Sequence, residues 1–209
     1  MSPERDAGAG PNSVRERRRA ILLAGHKGNP EPARAALAGE DPALRIAALG
    51  ALARAGALGA EDLDSCLRDP DPGVRRRAAE LSAGSAQEGT TGALLGLLAD
   101  PDPLVAEMAA WALGEGTPSG EVVTALSQVA GDHEDPLCRE AAVAALGALG
   151  DPGGLPAILE ATSDKPAIRR RAVIALAPFE GPEVDAALVR ARSDRDWQVR
   201  QAAEDQEGR

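Results

Sequence analysis

The sequence predicts an all-α fold, an α-solenoid (superhelix) of about six helix pairs led by an N-terminal cap helix. Three observations carry this expectation. The first is a recurring block of Asp-Pro, an apolar residue, Arg and an Ala-rich run. It reads Asp41-Pro42-Ala43-Leu44-Arg45, Asp71-Pro72-Gly73-Val74-Arg75, Asp102-Pro103-Leu104-Val105-Ala106 and Asp135-Pro136-Leu137-Cys138-Arg139, with worn copies at Lys165-Pro166-Ala167-Ile168-Arg169 and Asp196-Trp197-Gln198-Val199-Arg200. The second is its period: successive blocks are 30, 31, 33, 30 and 31 residues apart, a range that marks stacked units each touching only its neighbours. The third is composition. Apolar residues make up 44% of the 209, yet Trp111, Trp197 and Phe179 are the only aromatics. A core of Ala, Leu and Val suits thin layers of helices about 8–10 Å apart.

Each element follows in order. Residues 1–12 are rich in Gly, Pro and charge and read as a disordered leader. From Ser13 to Ala24 the chain reads as a helix, and its Val14-Arg15 pair lies 30 residues before Leu44-Arg45. That phase makes it the second helix of an incomplete leading repeat, hence a cap. First helices are expected near 32–38, 60–68, 91–99, 120–130, 154–162 and 182–192, where apolar residues recur at three and four, as in Val122, Leu126 and Val129. Second helices begin at the Asp-Pro blocks, because Asp accepts from free backbone N–H groups and proline has no N–H to leave unpaired. Two, six and ten residues past each proline, Leu44, Ala48 and Leu52 form one buried stripe. Val105, Ala109 and Leu113, then Cys138, Ala142 and Leu146, then Ile168, Ala172 and Leu176 repeat it. Gly114, Gly147 and Gly150 are read as helix ends needing a positive φ. The array is expected to occupy 13–205, with 206–209 frayed and the acidic run Glu204-Asp205-Gln206-Glu207 fraying too.

The formal charge is −10, which disfavours phosphate backbones and anionic membranes. Against it stand local Arg clusters at Arg17-Arg18-Arg19, Arg75-Arg76-Arg77 and Arg169-Arg170-Arg171, while Lys27 and Lys165 are the only lysines. Met1 to Pro11 lacks the basic and apolar regions of a secretion signal, and Gly, Pro or charge interrupts every apolar run before it reaches membrane-spanning length. Cys66 and Cys138 occupy non-equivalent repeat positions and read as reduced packing residues of a cytoplasmic protein.

A unit of about thirty residues with two helices and the string Asp135-Pro136-Leu137-Cys138-Arg139-Glu140-Ala141-Ala142-Val143-Ala144-Ala145-Leu146-Gly147 resembles the HEAT repeats. It is most similar to the short bacterial HEAT-like subclass of phycobilisome lyase subunits, and Val105 to Gly114 carries the same pattern. The resemblance spans nearly everything from Ser13 to Glu204 and implies a helix-pair solenoid. Proteins with such repeats include scaffolds, chaperone-like partners, chromophore lyases, a di-iron hydroxylase and DNA glycosylase relatives. The hydroxylase would require His-Glu pairs after the repeat Arg, where this chain has Ile46-Ala47, Arg76-Arg77, Glu140-Ala141, Arg170-Arg171 and Gln201-Ala202. His26 and His133 are its only histidines, both in expected inter-helix turns, so that chemistry is excluded. A glycosylase needs a basic, aromatic-lined cleft, which an acidic chain almost without aromatics does not offer.

The repeat arginines Arg45, Arg75, Arg139, Arg169 and Arg200 form a ladder with a rung missing at Ala106. Regular pairing with Asp-Pro turns favours a structural role, each guanidinium binding turn carbonyls or an Asp and tying units together, over an anion track. Arg76, Arg77, Arg170 and Arg171 lie off the buried stripe and are expected on the second-helix face, the concave side of such solenoids. With Glu107, Glu115 and Glu140 between them, they would suit a partner of mixed charge. Trp111 stands eight residues past Pro103, equivalent to Gly50, Glu80, Ala144, Ile174 and Asp205. Beside Met108 it is either an exposed binding anchor or a ring folded across Ala144 that covers the stack. Trp197 is expected to seal the preceding repeat, and Phe179 to pack at a helix end. His133, among Asp132, Glu134 and Asp135, is too sparse a ligand set for a metal.

No nucleophile–base pair, Gly-rich phosphate loop or CxxC is present. The function expected is therefore a non-enzymatic scaffold that binds another protein on the second-helix face, centred on Trp111 and Met108. It is expected to act without cofactor, metal, nucleic acid or membrane, and as a monomer. The alternative is a subunit of a bilin lyase or isomerase acting with a partner protein, which the resemblance alone implies.

Overall fold

The computed structural model describes residues 13–83 and 89–207. The expected leader, 1–12, and the last two residues of the expected frayed tail lie outside them. Among the described residues there are thirteen α-helices and no strand. The chain groups into two compact units, one up to Asp62 and one from Leu63 onward.

The first unit holds α1 (Val14–His26), α2 (Glu31–Leu37) and α3 (Pro42–Arg54). Ser13 starts α1 with a capping box: its hydroxyl accepts from the Glu16 amide at 3.3 Å, and its own amide donates to Glu16 Oε2 at 3.2 Å. Ile21, Ala33, Leu44, Ala48 and Leu52 make the core. Arg34 of α2 holds down the turn after α3, donating to the Ala57 carbonyl at 2.7 Å and to Asp62 at 3.1 Å.

The second unit begins within α4 (Ala60–Leu67) and continues through α5 (Pro72–Ser82), α6 (Thr91–Leu97), α7 (Pro103–Gly114), α8 (Gly120–Asp132) and α9 (Pro136–Leu149). A 3-10 turn (Pro152–Gly154), α10 (Leu155–Ala161), α11 (Pro166–Ala175), α12 (Pro182–Ala191) and α13 (Trp197–Glu207) complete it. The helices that follow the repeat blocks, α5, α7, α9, α11 and α13, pack in succession as one layer; α8, α10 and α12 pack as the other. Each repeat block that opens with Asp acts through its carboxylate. Asp102 accepts from the Leu104 amide at 2.9 Å, Asp135 from Leu137 at 2.8 Å and Asp196 from Gln198 at 2.9 Å. The stripe read from the sequence is buried throughout, from Val105, Ala109 and Leu113 to Ile168, Ala172 and Leu176.

One sequence expectation changes. Of the three glycines assigned to left-handed helix ends, Gly150 has a positive φ, 62°, whereas Gly114 and Gly147 do not. Their role is close approach. A Cβ on Gly114 would lie 2.7 Å from Ala145 Cα, and one on Gly147 would lie 2.7 Å from Ala175 Cα. Gly25 meets Ala51 of the first unit in the same way, with 2.8 Å to its Cβ. Glycine is thus required where one second helix crosses the next. At the C-terminal end α13 runs to Glu207. No Gly or Pro interrupts it from Trp197 to Glu207, and Gln201 Nε2 donates to Asp205 Oδ1 at 3.0 Å on its surface.

The ladder arginines join successive turns. Arg75 donates to both carboxylate oxygens of Asp100 at 2.7 and 2.8 Å, Arg139 to both of Asp164 at 2.8 and 3.0 Å, and Arg169 to both of Asp194 at 2.8 and 2.7 Å. The remaining Nη1 reaches back to a carbonyl of its own turn: Asp69 for Arg75 at 2.8 Å, His133 for Arg139 at 2.7 Å, and Asp164 for Arg169 at 2.9 Å. Arg45 and Arg200 make the same return bond, to Glu40 and Asp194, each at 2.8 Å. Asp164 and Asp194 are therefore held twice, by the preceding Arg through the carboxylate and by the following Arg through the carbonyl. At the missing rung both partners differ. Ala106 replaces Arg, and His133 stands where neighbouring turns carry Asp100 and Asp194. Its Nδ1 accepts from the Asp135 amide at 3.0 Å, as Asp100 does from Asp102 at 2.9 Å and Asp194 from Asp196 at 2.8 Å.

Hydrogen bonds from Arg139 and Arg169 hold the Asp164 and Asp194 carboxyls below the ordinary carboxylate range, against the opposing effect of burial. Burial pushes Asp100 up most strongly of its separate influences, but the Arg75 bonds and the Asp102 amide together bring it below its usual value. Groups more acidic in the folded chain than in the unfolded one stabilise it above the unfolded pKa. That stability is lost as pH falls through the folded value. Unfolding stability is thus expected to decline from about pH 5 downward, and Arg139→Ala is expected to flatten that decline; denaturant titrations across pH measure both. At neutral pH Arg139→Ala is expected to cost about 1–3 kcal/mol by stranding Asp164. Gly147→Val is expected to cost about 1–3 kcal/mol through overpacking. Gly131→Ala, with open space around it in α8, should instead gain roughly 0.5–1 kcal/mol. Thermal melts of the two glycine variants compare them directly.

Candidate functional site

The second-helix layer of the second unit carries a groove of about 640 Å³ over α7 and α9. Its floor follows from the Ala-rich half of the repeat: Ala141, Ala144 and Ala148 recur at three and four along α9 and leave the surface low. Met108 and Trp111 of α7 rise beside that floor, and Leu137 from the first turn of α9 lines it too. Trp111 is 43% exposed, so it walls the groove while resting against the layer.

The rim is acidic. Glu107, Trp111 and Glu115 follow one another at intervals of four along α7, Glu115 at its C-terminal cap, and share one face. Glu80 enters from α5 and Glu140 from α9. Arg171 of α11, the one basic residue of the lining, reaches Glu140 with Nη2 at 3.4 Å, and Arg77 holds Glu80 from outside the groove at 2.6 Å. Under the floor, Cys138 is buried with its Sγ 3.5 Å from the Pro103 carbonyl. Burial pushes its thiol up to about 11, and the side chain packs between α7 and α9. Cys66 is likewise buried.

Of the residues chosen from the sequence, the groove brings together Trp111, Met108, Glu107, Glu115, Glu140 and Arg171. Arg77 acts at one remove, through Glu80, and Arg76 and Arg170 stand outside. Arg170 belongs to a second groove, of about 470 Å³, over α11 and α13 with Ile174, Gln201 and Trp197. Trp197 corrects the sequence reading. It was expected to seal the preceding repeat, but the residue is 64% exposed. It occupies the first position of α13, where proline stands in the other units, and that position is on the surface. Glu80 and Leu137 were missed. Glu80 shares the register of Trp111, and Leu137 that of the exposed Leu104, so position in the repeat was the available signal. Phe179 is partly buried after α11, its amide donating to the Leu176 carbonyl at 2.9 Å. Among the described residues no group of three or more His, Cys, Asp or Glu is placed to hold a metal, and no helix is long and apolar enough to cross a membrane.

Helix pairs in two layers, tied turn to turn and presenting a shallow groove, define an α-helical repeat protein. The family model for HEAT repeats matches residues 60–143, 92–165 and 123–206, and the chain belongs to that family. No curated protein matches it. Among solved structures it is similar to the YibA protein of Escherichia coli, at 17% identity and a TM-score of 0.70 over 96% of this chain and 78% of that one. A designed armadillo repeat protein in complex with a (KR)4 peptide aligns at 17% identity and 0.57, over 94% and 99%. The CpcE–CpcF complex of phycocyanin lyase from Nostoc aligns at 22% identity and 0.58, over 100% and 81%. At these identities the likeness is one of fold, that of HEAT and armadillo solenoids.

Proposed function

We propose that this protein is a binding scaffold that engages another protein through the face formed by its second helices, centred on Trp111 and Met108. The observation that carries this reading is a large aromatic residue left 43% exposed beside a floor of alanines. A ring serving the stack alone would be covered. An exposed indole beside a methionine supplies a concentrated anchor, and the low floor supplies area for a partner's backbone.

Neighbours of the same fold support the reading by analogy, one in complex with a peptide and one a complex of two proteins. The bilin lyase-subunit alternative rests on that second likeness alone. A bilin titration followed by absorbance separates the two: a spectral shift on mixing would favour the lyase reading.

Affinity capture with the wild-type chain, Trp111→Ala and Val189→Ala tests the scaffold. Val189 is 59% exposed on α12, in the other layer. Trp111→Ala is expected to weaken partner binding by about 2 kcal/mol or more, roughly thirtyfold in affinity, while Val189→Ala binds as the wild type does. Equal recovery by wild type and Trp111→Ala would overturn the proposal.

A further inference from the structure

The charges of the second-helix face are ordered along the layer. Four residues past each proline stand Arg76 on α5, Glu107 on α7, Glu140 on α9 and Arg170 on α11, so two acidic helices lie between two basic ones. At the centre, Arg171 engages Glu140 and Arg77 engages Glu80. Glu107 and Glu115 flank the Trp111 ring with no ion-pair partner among the described residues. On the outside, Arg76 and Arg170 also lack an ion-pair partner among the described residues, and the Arg170 Nε is buried without an acceptor.

Building on the scaffold reading, we infer that the groove takes an extended peptide segment with one cationic side chain, Lys or Arg, at its centre and an acidic residue on each side. The central cation lies over the Trp111 ring between Glu107 and Glu115, its aliphatic stem along Met108. An indole face attracts a cation, and two carboxylates on the same helix face add to that attraction. The flanking acids meet Arg76 on one side and Arg170 on the other. Spacing sets their positions. Neighbouring second helices lie about 8–10 Å apart, so α5 and α11 are each about 14 Å from the middle of the α7–α9 groove. An extended chain advances about 3.3 Å per residue, which puts each acid about four positions from the central cation. A segment of the opposite pattern places like charges together at three points and is rejected.

Fluorescence titration of the full chain carrying Trp197→Phe, which leaves Trp111 as the sole indole, tests this with synthetic peptides of about nine residues. One peptide has a central Arg with Glu at both ends, one has the inverted charges, and one has a central Leu with neutral ends. The first is expected to bind saturably, with the inverted peptide weaker by about tenfold or more. Glu107→Lys with Glu115→Lys is expected to abolish that preference. Arg76→Glu with Arg170→Glu is expected to weaken the first peptide and to improve one with a central Arg and basic ends, a gain that misfolding cannot produce. Equal binding of the first and inverted peptides, or indifference to both double substitutions, would overturn the inference. If the neutral peptide binds as well as the first and Trp111→Ala abolishes both, the charge inference falls and the scaffold reading stands. If no peptide binds while Trp111→Ala still loses its captured partner, the outcome is the same. If no peptide binds and Trp111→Ala captures what the wild type captures, both fall.

Discussion

The bidentate bond from a repeat arginine to an aspartate 25 residues on is the constraint that organises the second unit. It uses both oxygens of the carboxylate and two guanidinium nitrogens in one plane, fixing orientation as well as distance. The third nitrogen returns to the arginine's own turn. Arg139, Asp164, Arg169, Asp194 and Arg200 consequently form an unbroken relay from α9 to α13. Arg169 lies inside that relay and is nearly inaccessible to water, a position a lone cation could not hold. With the turns held this way, the helices between them are placed by small residues. Gly114 against Ala145 and Gly147 against Ala175 let one backbone settle directly on the next.

The groove is a by-product of that economy in side-chain volume. Alanines that permit close packing on the inner side of a second helix recur on its outer side, where they leave the surface shallow. A shallow surface gains affinity from the few large groups set on it, and α7 provides two, Trp111 and Met108. The groove and the stacking therefore draw on one compositional choice, a helix rich in alanine, and differ in which side of it they use.

The fold was legible because its signals were repeated. A single Asp-Pro is a turn; six blocks at nearly constant spacing are an architecture, and every expected helix is present within a few residues. The buried stripe was legible for the same reason. Features that depend on approach between units were not. Gly114 and Gly147 read as helix ends because Gly so often marks them, and nothing local to either residue shows that another backbone lies against it. Trp197 was misread because a ring at a proline position suggests closure, while the residues that open these helices, ahead of the buried stripe, face outward, as Leu104 and Leu137 also show. In the candidate site, residues that break the repeat pattern, Trp111 above all, could be chosen from the sequence. Glu80 conforms to the pattern and became visible only when α5 was set beside α7.

The break in the ladder falls at Ala106 and His133, in the joint between α7 and α9 that carries the groove. No carboxylate is stranded there, because acid and base are absent together. The joints from α5 to α7, α9 to α11 and α11 to α13 resist tilting through charge that must be separated to move them. The joint under Trp111 is held instead by close packing, Gly114 against Ala145, and by the Cys138 thiol on the Pro103 carbonyl. Acidification, which protonates the aspartates at the other three joints and removes the bonds they accept, therefore finds no such carboxylate to neutralise in the seam between α7 and α9.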